Sequence, residues 1–386
     1  MNAYDPDDEQ DIRVGRLVED WTRSGLLTTE QREVLMPQVH VDLRRTNLFL
    51  RITLFLFGGM ILQAGLGLVA IFIGAFLNQT VAAVLCLLAG GGCFWLASQL
   101  VSRYNLYRFG VEEAVALGAV GLAAAGAAIL IADQGNWPII VGLAVAAAGL
   151  ALLYYRFGYV YAAVLAMAAA AAIPFQFGGS EFIQRVTAVI VLAAIAAAFR
   201  FKRDEYGDDY PGDDFAVIEA AAWLGIYLLV NLLASTGFTH IGRGATLYWV
   251  TYAGIWMLPA AGLWVALRGR ERPLLMVSIV MALATLLSNK EYLGSPRYEW
   301  DPIVFGLLLM GVAIAVRRWL ASGEGGMRHG YTASRLLASD KGKLGALAMV
   351  SATQAEVPVS EAPSPAAPPP VGGGGRSGGA GAGGSF

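Results

Sequence analysis

ITLFLFGGMILQAGLGLVAIFIGAF, residues 52–76, contains no charged side chain. A helix of this length rises about 37 Å, enough to cross the roughly 30 Å hydrocarbon core of a bilayer. Nine further stretches are apolar over similar lengths. The ten predicted spans are 52–76, 81–101, 111–132, 138–155, 159–177, 183–201, 216–234, 246–267, 273–288 and 302–320. We therefore predict an all-α, polytopic integral membrane protein with about ten transmembrane helices.

The composition also predicts that the lipid bilayer surrounds most of this chain. Hydrophobic residues make up 56% of it and charged residues 15%, whereas soluble domains carry about 25% charged residues. The formal net charge is -2 and the basic residues form no stripe, so we expect no nucleic-acid partner. Cys86 and Cys93 lie in one predicted span, about 10 Å apart along the helix axis, which is too far for a disulfide.

The distribution of basic residues predicts the orientation in the membrane. With the N-terminus in the cytosol, only four of the 27 Lys and Arg residues lie on the outer side. These four are Arg185, Arg243, Lys290 and Arg297. Cytosolic loops retain Lys and Arg because moving them across the bilayer is unfavourable. We therefore predict that both chain ends are cytosolic, and, since the first 46 residues are polar, that no cleavable signal peptide is present.

Four regions follow from these patterns. Residues 1–50 predict a cytosolic amphipathic helical hairpin, in which Thr28 and Gln31 have the spacing of a capping box. Residues 51–320 form the ten-span bundle. Residues 321–351 predict a cytosolic amphipathic segment, and residues 352–386, rich first in Pro and Ala and then in Gly, predict a disordered tail.

The hairpin carries a resemblance to a known family. Leu17-Val-Glu-Asp-Trp21 followed by Ser24-Gly-Leu-Leu-Thr-Thr-Glu-Gln31 resembles the opening of a bacterial family of predicted membrane proteins, catalogued as domain of unknown function 2157. The resemblance implies a short helical hairpin before a run of transmembrane helices. It also implies a multi-pass protein of the bacterial cell (inner or plasma) membrane. It brings no activity and no catalytic residue.

Charged and strongly polar side chains are rare inside the predicted spans. No Asp, Glu, Lys, Arg or His lies in the middle of any of them, although ion-coupled transporters usually place such a group there. The deepest strongly polar side chains are Gln63 and Asn231, which predict either interhelical hydrogen bonds or substrate contacts. Glu112, Glu113 and Glu219 lie in first turns, where the helix dipole favours a carboxylate.

Several classes of site are not expected. The three histidines, His40, His240 and His329, are divided between the two sides of the membrane by the predicted topology, so they predict no metal site. The chain has no phosphate-binding loop, zinc-protease helix or nucleophile elbow. We therefore expect no cofactor, no catalytic residues and no enzymatic activity.

Small residues dominate spans three to six. Gly118, Gly121, Ala125 and Gly126 fall on one predicted span, and Gly142, Ala146 and Gly149 on the next. Close approach through small side chains is what holds helices together in lipid. These four spans therefore predict the tightly packed centre of the bundle.

The outer loop 288–301 holds the most suggestive group of polar side chains. Arg297, Glu299, Trp300 and Asp301 combine mixed charges with an aromatic ring, which can bind a lipid headgroup or a glycan. The same residues can equally serve as interface anchors and mutual ion pairs. Asp301 and Pro302 also have the sequence of a helix start.

Two functions are compatible with these sequence features. The first is a non-enzymatic scaffold or accessory component, whose hairpin and C-terminal segments recruit protein partners at the cytosolic ends. The second is a transporter or flippase for a neutral or lipidic substrate, which Arg297, Glu299, Trp300, Asp301, Gln63 and Asn231 would contact. The sequence leaves the oligomeric state open.

Overall fold

The structure, a computed structural model, shows an almost entirely helical chain. It describes residues 4, 6–23, 25, 27–39, 41, 43–73, 78–206, 211–232, 246–269, 271–295, 298, 300–323, 327–328 and 331–332. The helices are α1 (Pro6–Arg23), α2 (Thr29–Leu35), α3 (Leu48–Ile73), α4 (Gln79–Tyr104), α5 (Val111–Leu130), α6 (Trp137–Phe157), α7 (Val160–Ala172), α8 (Glu181–Tyr206), α9 (Pro211–Val230), α10 (Thr246–Gly269), α11 (Arg272–Leu293) and α12 (Asp301–Ala321). Short 3-10 turns follow α2 (Met36–Val39) and α7 (Ile173–Gln176). The all-α fold class is confirmed.

The end of the described chain contains the one short strand pairing found in these ranges. Strand β1 (Met327–Arg328) pairs antiparallel with β2 (Tyr331–Thr332). Of the predicted amphipathic segment 321–351, the structure describes only residues 321–323, 327–328 and 331–332. The predicted disordered tail lies outside the described residues.

Among the residues that the structure describes, seven helices are long and apolar enough to span a membrane. They are Leu48–Val69, Gln79–Tyr104, Val111–Leu130, Trp137–Phe157, Glu181–Arg203, Thr246–Gly269 and Arg272–Leu293. The other three predicted spans also coincide with helices, namely α7, α9 and α12. Helix α7 is only 13 residues long, and α9 carries acidic residues in its first half. The chain is thus built as a multi-pass membrane protein.

Six tryptophans lie near the ends of the predicted spans, where an aromatic belt is expected. Each of the six is at least 48% exposed. They are Trp95, Trp137, Trp249, Trp264, Trp300 and Trp319. Exposed indole rings at these positions fit an interface with lipid headgroups.

The contact between α4 and α5 depends on glycine. A β-carbon on Gly90 would lie 2.9 Å from the carbonyl oxygen of Ala119, and one on Gly126 would lie 2.9 Å from that of Ala83. These backbones touch because no side chain stands between them. Close packing through small residues thus joins the second and third predicted spans, of which only α5 belongs to the four that we expected to form the centre, whereas Gly121 of α5 faces open space.

We predict that Gly90→Ala lowers the free energy of unfolding by about 1–3 kcal/mol, because overpacking forces two backbones apart. The matched control is Gly91→Ala, since a β-carbon there would meet nothing within 4 Å. That control should be neutral or stabilising by up to about 1 kcal/mol through helix propensity. Unfolding by SDS titration in mixed micelles measures both. Equal losses for the two variants would contradict this account of the α4–α5 contact.

The hairpin is packed against the end of the bundle. Its capping box is confirmed, with Thr28 and Gln31 exchanging both hydrogen bonds. Ile12, only 2% exposed, joins the same hydrophobic cluster as residues of α4 to α7. The chain after the hairpin then pairs with the α4–α5 loop: the Arg44 amide donates to the Asn105 carbonyl at 2.9 Å, and the Tyr107 amide donates to the Arg44 carbonyl at 3.1 Å.

Candidate functional site

Buried and half-buried polar side chains, which we call the hairpin-end cluster, lie where the hairpin meets the bundle. The cluster consists of Tyr4, Arg51, Glu112, Glu113, Tyr159 and Tyr161. Local sequence places the tyrosines. Gly158, with φ of 67°, ends α6 in a left-handed cap and reverses the chain directly into α7. The Tyr159 ring then stacks between Phe157 and Tyr161, with centroid distances of 5.4 and 5.5 Å.

The two glutamates of the cluster have different partners. The carboxylate of Glu113 accepts both arms of the Arg51 guanidinium, one of them from Nε at 3.0 Å. This ion pair links α3 to α5. Glu112 is fully buried, and its Oε1 accepts the backbone N–H of Phe109 at 2.6 Å, at the start of α5. Both contacts fit the predicted structural role of these carboxylates at a helix N-terminus.

Four polar atoms of the cluster have no hydrogen-bond partner among the described residues. They are Oε2 of Glu112 and the hydroxyls of Tyr4, Tyr159 and Tyr161. The Tyr159 hydroxyl is close enough to affect the ionisation of Tyr4, but the two hydroxyls do not have the geometry of a regular hydrogen bond. Burial raises the pKa of Tyr4, so this phenol stays neutral. Buried polar groups nearly always have hydrogen-bond partners. The carboxylate of Glu112 and the three hydroxyls are therefore candidates to bind a small polar ligand.

A second buried group, the arginine–glutamate network, joins α8, α9 and α11. Arg200 donates to Oε1 of Glu219 at 3.1 Å, and Arg203 donates to Oε2 of the same carboxylate at 2.8 Å. Arg203 also donates to Oε1 of Glu271 at 2.5 Å. The side chain of Glu219 is 2% exposed. The predicted first-turn position of Glu219 is wrong, because α9 begins eight residues earlier, at Pro211. Two arginines, rather than the N-terminal end of the helix dipole, hold this carboxylate.

Asn231, a predicted site residue, lies at the opposite end of α9 and is 1% exposed. Its side-chain amide donates to the Tyr227 hydroxyl at 3.1 Å and to Oγ of Ser288 at 3.0 Å. The Tyr227 hydroxyl also bonds the Thr285 hydroxyl at 2.9 Å. These contacts join α9 to α11 and confirm the predicted interhelical hydrogen bond. Contact of Asn231 with a substrate stays a prediction.

Asp301 and Trp300, two further predicted site residues, surround Lys290. The Lys290 ammonium lies 2.5 and 2.6 Å from the carboxylate oxygens of Asp301. It also lies 4.9 Å from the ring of Tyr298 and 5.7 Å from that of Trp300, and these two rings stack. Hydrogen bonds from Lys290 and from the Tyr298 amide lower the pKa of Asp301. The arrangement fixes the end of α11 to the start of α12.

In the described structure, the remaining predicted site residues take no part in the contacts around Lys290. Gln63 is exposed on α3, and no described contact joins it to Asn231 or Asp301. Arg297 and Glu299 lie outside the described residues. The structure thus places Trp300 and Asp301 together, and Asn231 and Gln63 on other elements.

Two surface grooves complete the candidate sites. The α7–α8 groove has a volume of about 530 Å³ and is walled by Ile173, Phe177 and Ile183, with Gln184 and Thr187 along it. A second one, the hairpin groove, has a volume of about 420 Å³. It is lined by Leu27, Glu30, Gln31, Val34 and Leu35. The α7–α8 groove is almost wholly apolar, as a groove for an acyl chain would be.

Sequence reasoning missed the convergence of Tyr4, Tyr159 and Tyr161 around Glu112. The residues that meet there are separated by up to 157 positions in the chain, and none of them forms a motif with its neighbours. The closely spaced Tyr159 and Tyr161, between two apolar runs, were the available sequence signal. Comparison with protein-family models, with curated proteins and with solved structures found no match.

Proposed function

We propose that this chain is a ten-span scaffold or accessory component of the bacterial cell membrane, without enzymatic activity and with both ends in the cytosol. The Lys and Arg distribution supports the orientation, and the coincidence of α7, α9 and α12 with predicted spans supports the count of ten. In this topology the hairpin-end cluster and the arginine–glutamate network lie on the cytosolic side. The resemblance of the hairpin to the bacterial family supports the cellular location.

The scaffold proposal rests on one observation: the hairpin packs on the bundle through one side and exposes an apolar groove on the other. One side is held by the bundle through Ile12 and Val41, which are 2% and 7% exposed. The other side presents the hairpin groove, where Val34 is 65% exposed. Trp21, at 37% exposure, adds apolar surface to the same hairpin. A rigidly held apolar groove beside charged side chains is suited to receive a helix or extended segment of another protein.

A substitution in the hairpin groove tests the scaffold function. We expect Val34→Glu to reduce the native size of the complex that the full-length protein forms in its host membrane, without changing protein level, because a carboxylate would be desolvated in the interface. Arg23→Ala is the control: it changes the net charge by the same amount, at an exposed position outside the groove. Native gel electrophoresis of mildly solubilised membranes gives the sizes. An unchanged complex in Val34→Glu would argue against the proposal.

Removing the hairpin would be a weaker test than this substitution. Tyr4, Ile12 and Val41 belong to a hydrophobic cluster shared with α4 to α7, so deletion of residues 1–46 would expose apolar surface in the bundle. Loss of function after such a deletion would report misfolding as readily as loss of a partner. The point variant avoids this ambiguity because Val34 lies on the exposed side.

The second candidate is a carrier or flippase for a lipidic substrate, and the α7–α8 groove favours it. Helix α7 is short and is continued by a 3-10 turn, and broken helices often border transport sites. In this alternative an acyl chain lies in the groove, and Arg297, Glu299, Trp300 and Asp301 receive the polar headgroup on the same side of the membrane.

Native mass spectrometry separates the two functions. If the carrier proposal holds, the detergent-purified protein retains a lipid, and Ile183→Trp, which fills the groove, removes it. Ile190→Trp is the matched control: the two isoleucines of α8 are 62% and 61% exposed, but only Ile183 lines the groove. A protein that carries no lipid, or carries it equally in both variants, would leave the scaffold as the better account.

A further inference from the structure

The two deepest strongly polar side chains of the predicted spans have opposite surroundings. Asn231 is 1% exposed and bonded to two partners. Gln63 is exposed, and no described residue is hydrogen-bonded to it. It lies near the middle of α3, about 22 Å from Leu48 and about 15 Å from Ile73 along the helix axis. Its amide therefore faces the hydrocarbon core of the bilayer.

An amide in hydrocarbon needs a partner. Lipid tails offer no hydrogen bond, so an unsatisfied primary amide is unfavourable at that depth. Polar side chains in the middle of a span are accordingly satisfied by neighbouring helices. Helix α3 packs on the rest of the chain through one face, with Gly58 against Ala114 and Leu62 against Gly118. The face that carries Gln63 is not covered by the described chain.

The residues around Gln63 on this face are small. Gly59 and Gly67 lie four residues before and after it, so all three fall within about 80° around the helix. A β-carbon on either glycine would meet nothing within 4 Å. A second helix can therefore approach the α3 backbone closely, with the Gln63 amide at the centre of the contact.

We infer that this face of α3 binds α3 of a second copy of the chain, and that the Gln63 amides of the two copies hydrogen-bond each other. A primary amide is both donor and acceptor, so two of them satisfy each other. Two copies inserted in the same orientation place Gln63 at the same depth, and a two-fold axis along the membrane normal makes the contact self-complementary. The dimer adds a partner that is independent of the hairpin groove.

Disulfide crosslinking in native membranes locates the contact. In a full-length background with Cys86→Ala and Cys93→Ala, we expect Gly59→Cys and Gly67→Cys to give crosslinked dimers on oxidation. Gly65→Cys is the matched control, because Gly65 is equally open but points about 200° away from Gln63. Equal crosslinking at all three positions, or none at any, would overturn the inference.

The strength of the dimer tests the role of the amide itself. Single-molecule photobleaching in liposomes over a range of protein-to-lipid ratios gives the dimer fraction of the full-length protein. We expect Gln63→Leu to weaken dimerisation about tenfold, as the loss of two interhelical hydrogen bonds implies, and Gln63→Asn to weaken it less. A wild type that stays monomeric, or a dimer that Gln63→Leu leaves unchanged, would overturn the inference. Val34→Glu should not alter the dimer, so failure here is distinguishable from failure of the scaffold proposal.

Discussion

Gly110→Ala is expected to lower the free energy of unfolding by about 4 kcal/mol or more. Gly110 has φ of +112°, a conformation that costs a residue with a side chain about 1–3 kcal/mol. A β-carbon there would also overlap the carbonyl oxygen of Arg51 and lie 3.0 Å from the amide of Phe55. Both atoms belong to the backbone of α3, so the helix itself must move. That movement pulls Arg51 away from Glu113.

The control for Gly110 is Gly135→Ala. Gly135 also has positive φ, at +55°, but nothing lies within 4 Å of a β-carbon there. That variant should lose only about 1 kcal/mol, the cost of the left-handed conformation alone. SDS-induced unfolding in mixed micelles measures both variants. If they lose the same amount, the close approach of α3 to the start of α5 contributes nothing to stability.

Glu219→Ala should lower the free energy of unfolding by about 3 kcal/mol, because it leaves the mostly buried Arg203 and the partly exposed Arg200 without their shared carboxylate. Arg203 keeps Glu271, which holds the loss to the lower end of the range for a broken buried pair. The same unfolding assay gives the value. A smaller loss for Glu219→Gln would show that part of the effect comes from hydrogen bonding and part from charge.

Glu19→Ala is the matched control for Glu219. Glu19 pairs with Arg23 at 3.5 Å, four residues away on α1, and the two side chains are 43% and 68% exposed. Exposed pairs of this kind are worth about 0.3–0.5 kcal/mol. A loss at Glu219 no larger than the loss at Glu19 would mean that the buried network does not join α8, α9 and α11 energetically.

Much of the fold could be predicted because bilayer crossing is encoded locally. An apolar run predicts a helix without reference to distant residues, as in the part of α3 from 52 to 73, and the capping box of α2 is predicted from Thr28 and Gln31 alone. The ends of helices were less accurate. Helix α4 runs from Gln79 to Tyr104 rather than over 81–101, because helical backbone continues into the headgroup region after the apolar pattern ends.

The candidate site could be predicted only in part, since it depends on which helices meet. Asn231 and Gln63 are both amides deep in apolar runs, and nothing in their local sequence distinguishes them. Packing of α9 on α11 supplies Ser288 to Asn231, whereas Gln63 lies on a face of α3 that α5 does not cover. Likewise the Arg51–Glu113 pair joins residues 62 positions apart, a pairing that spacing cannot reveal.

The docked hairpin sets an order of assembly. Tyr4 and Ile12 share a hydrophobic cluster with Phe157 and Tyr159, so they cannot complete their contacts until about 150 further residues have been synthesised. At ribosomal rates of about 5–20 residues per second, that wait lasts on the order of ten seconds. During this time the apolar side of α1 is available to chaperones, to headgroups or to the insertion machinery. Biogenesis therefore passes through a species in which the four apolar helices α3 to α6 have been made, while the hairpin that packs against their end has not yet docked.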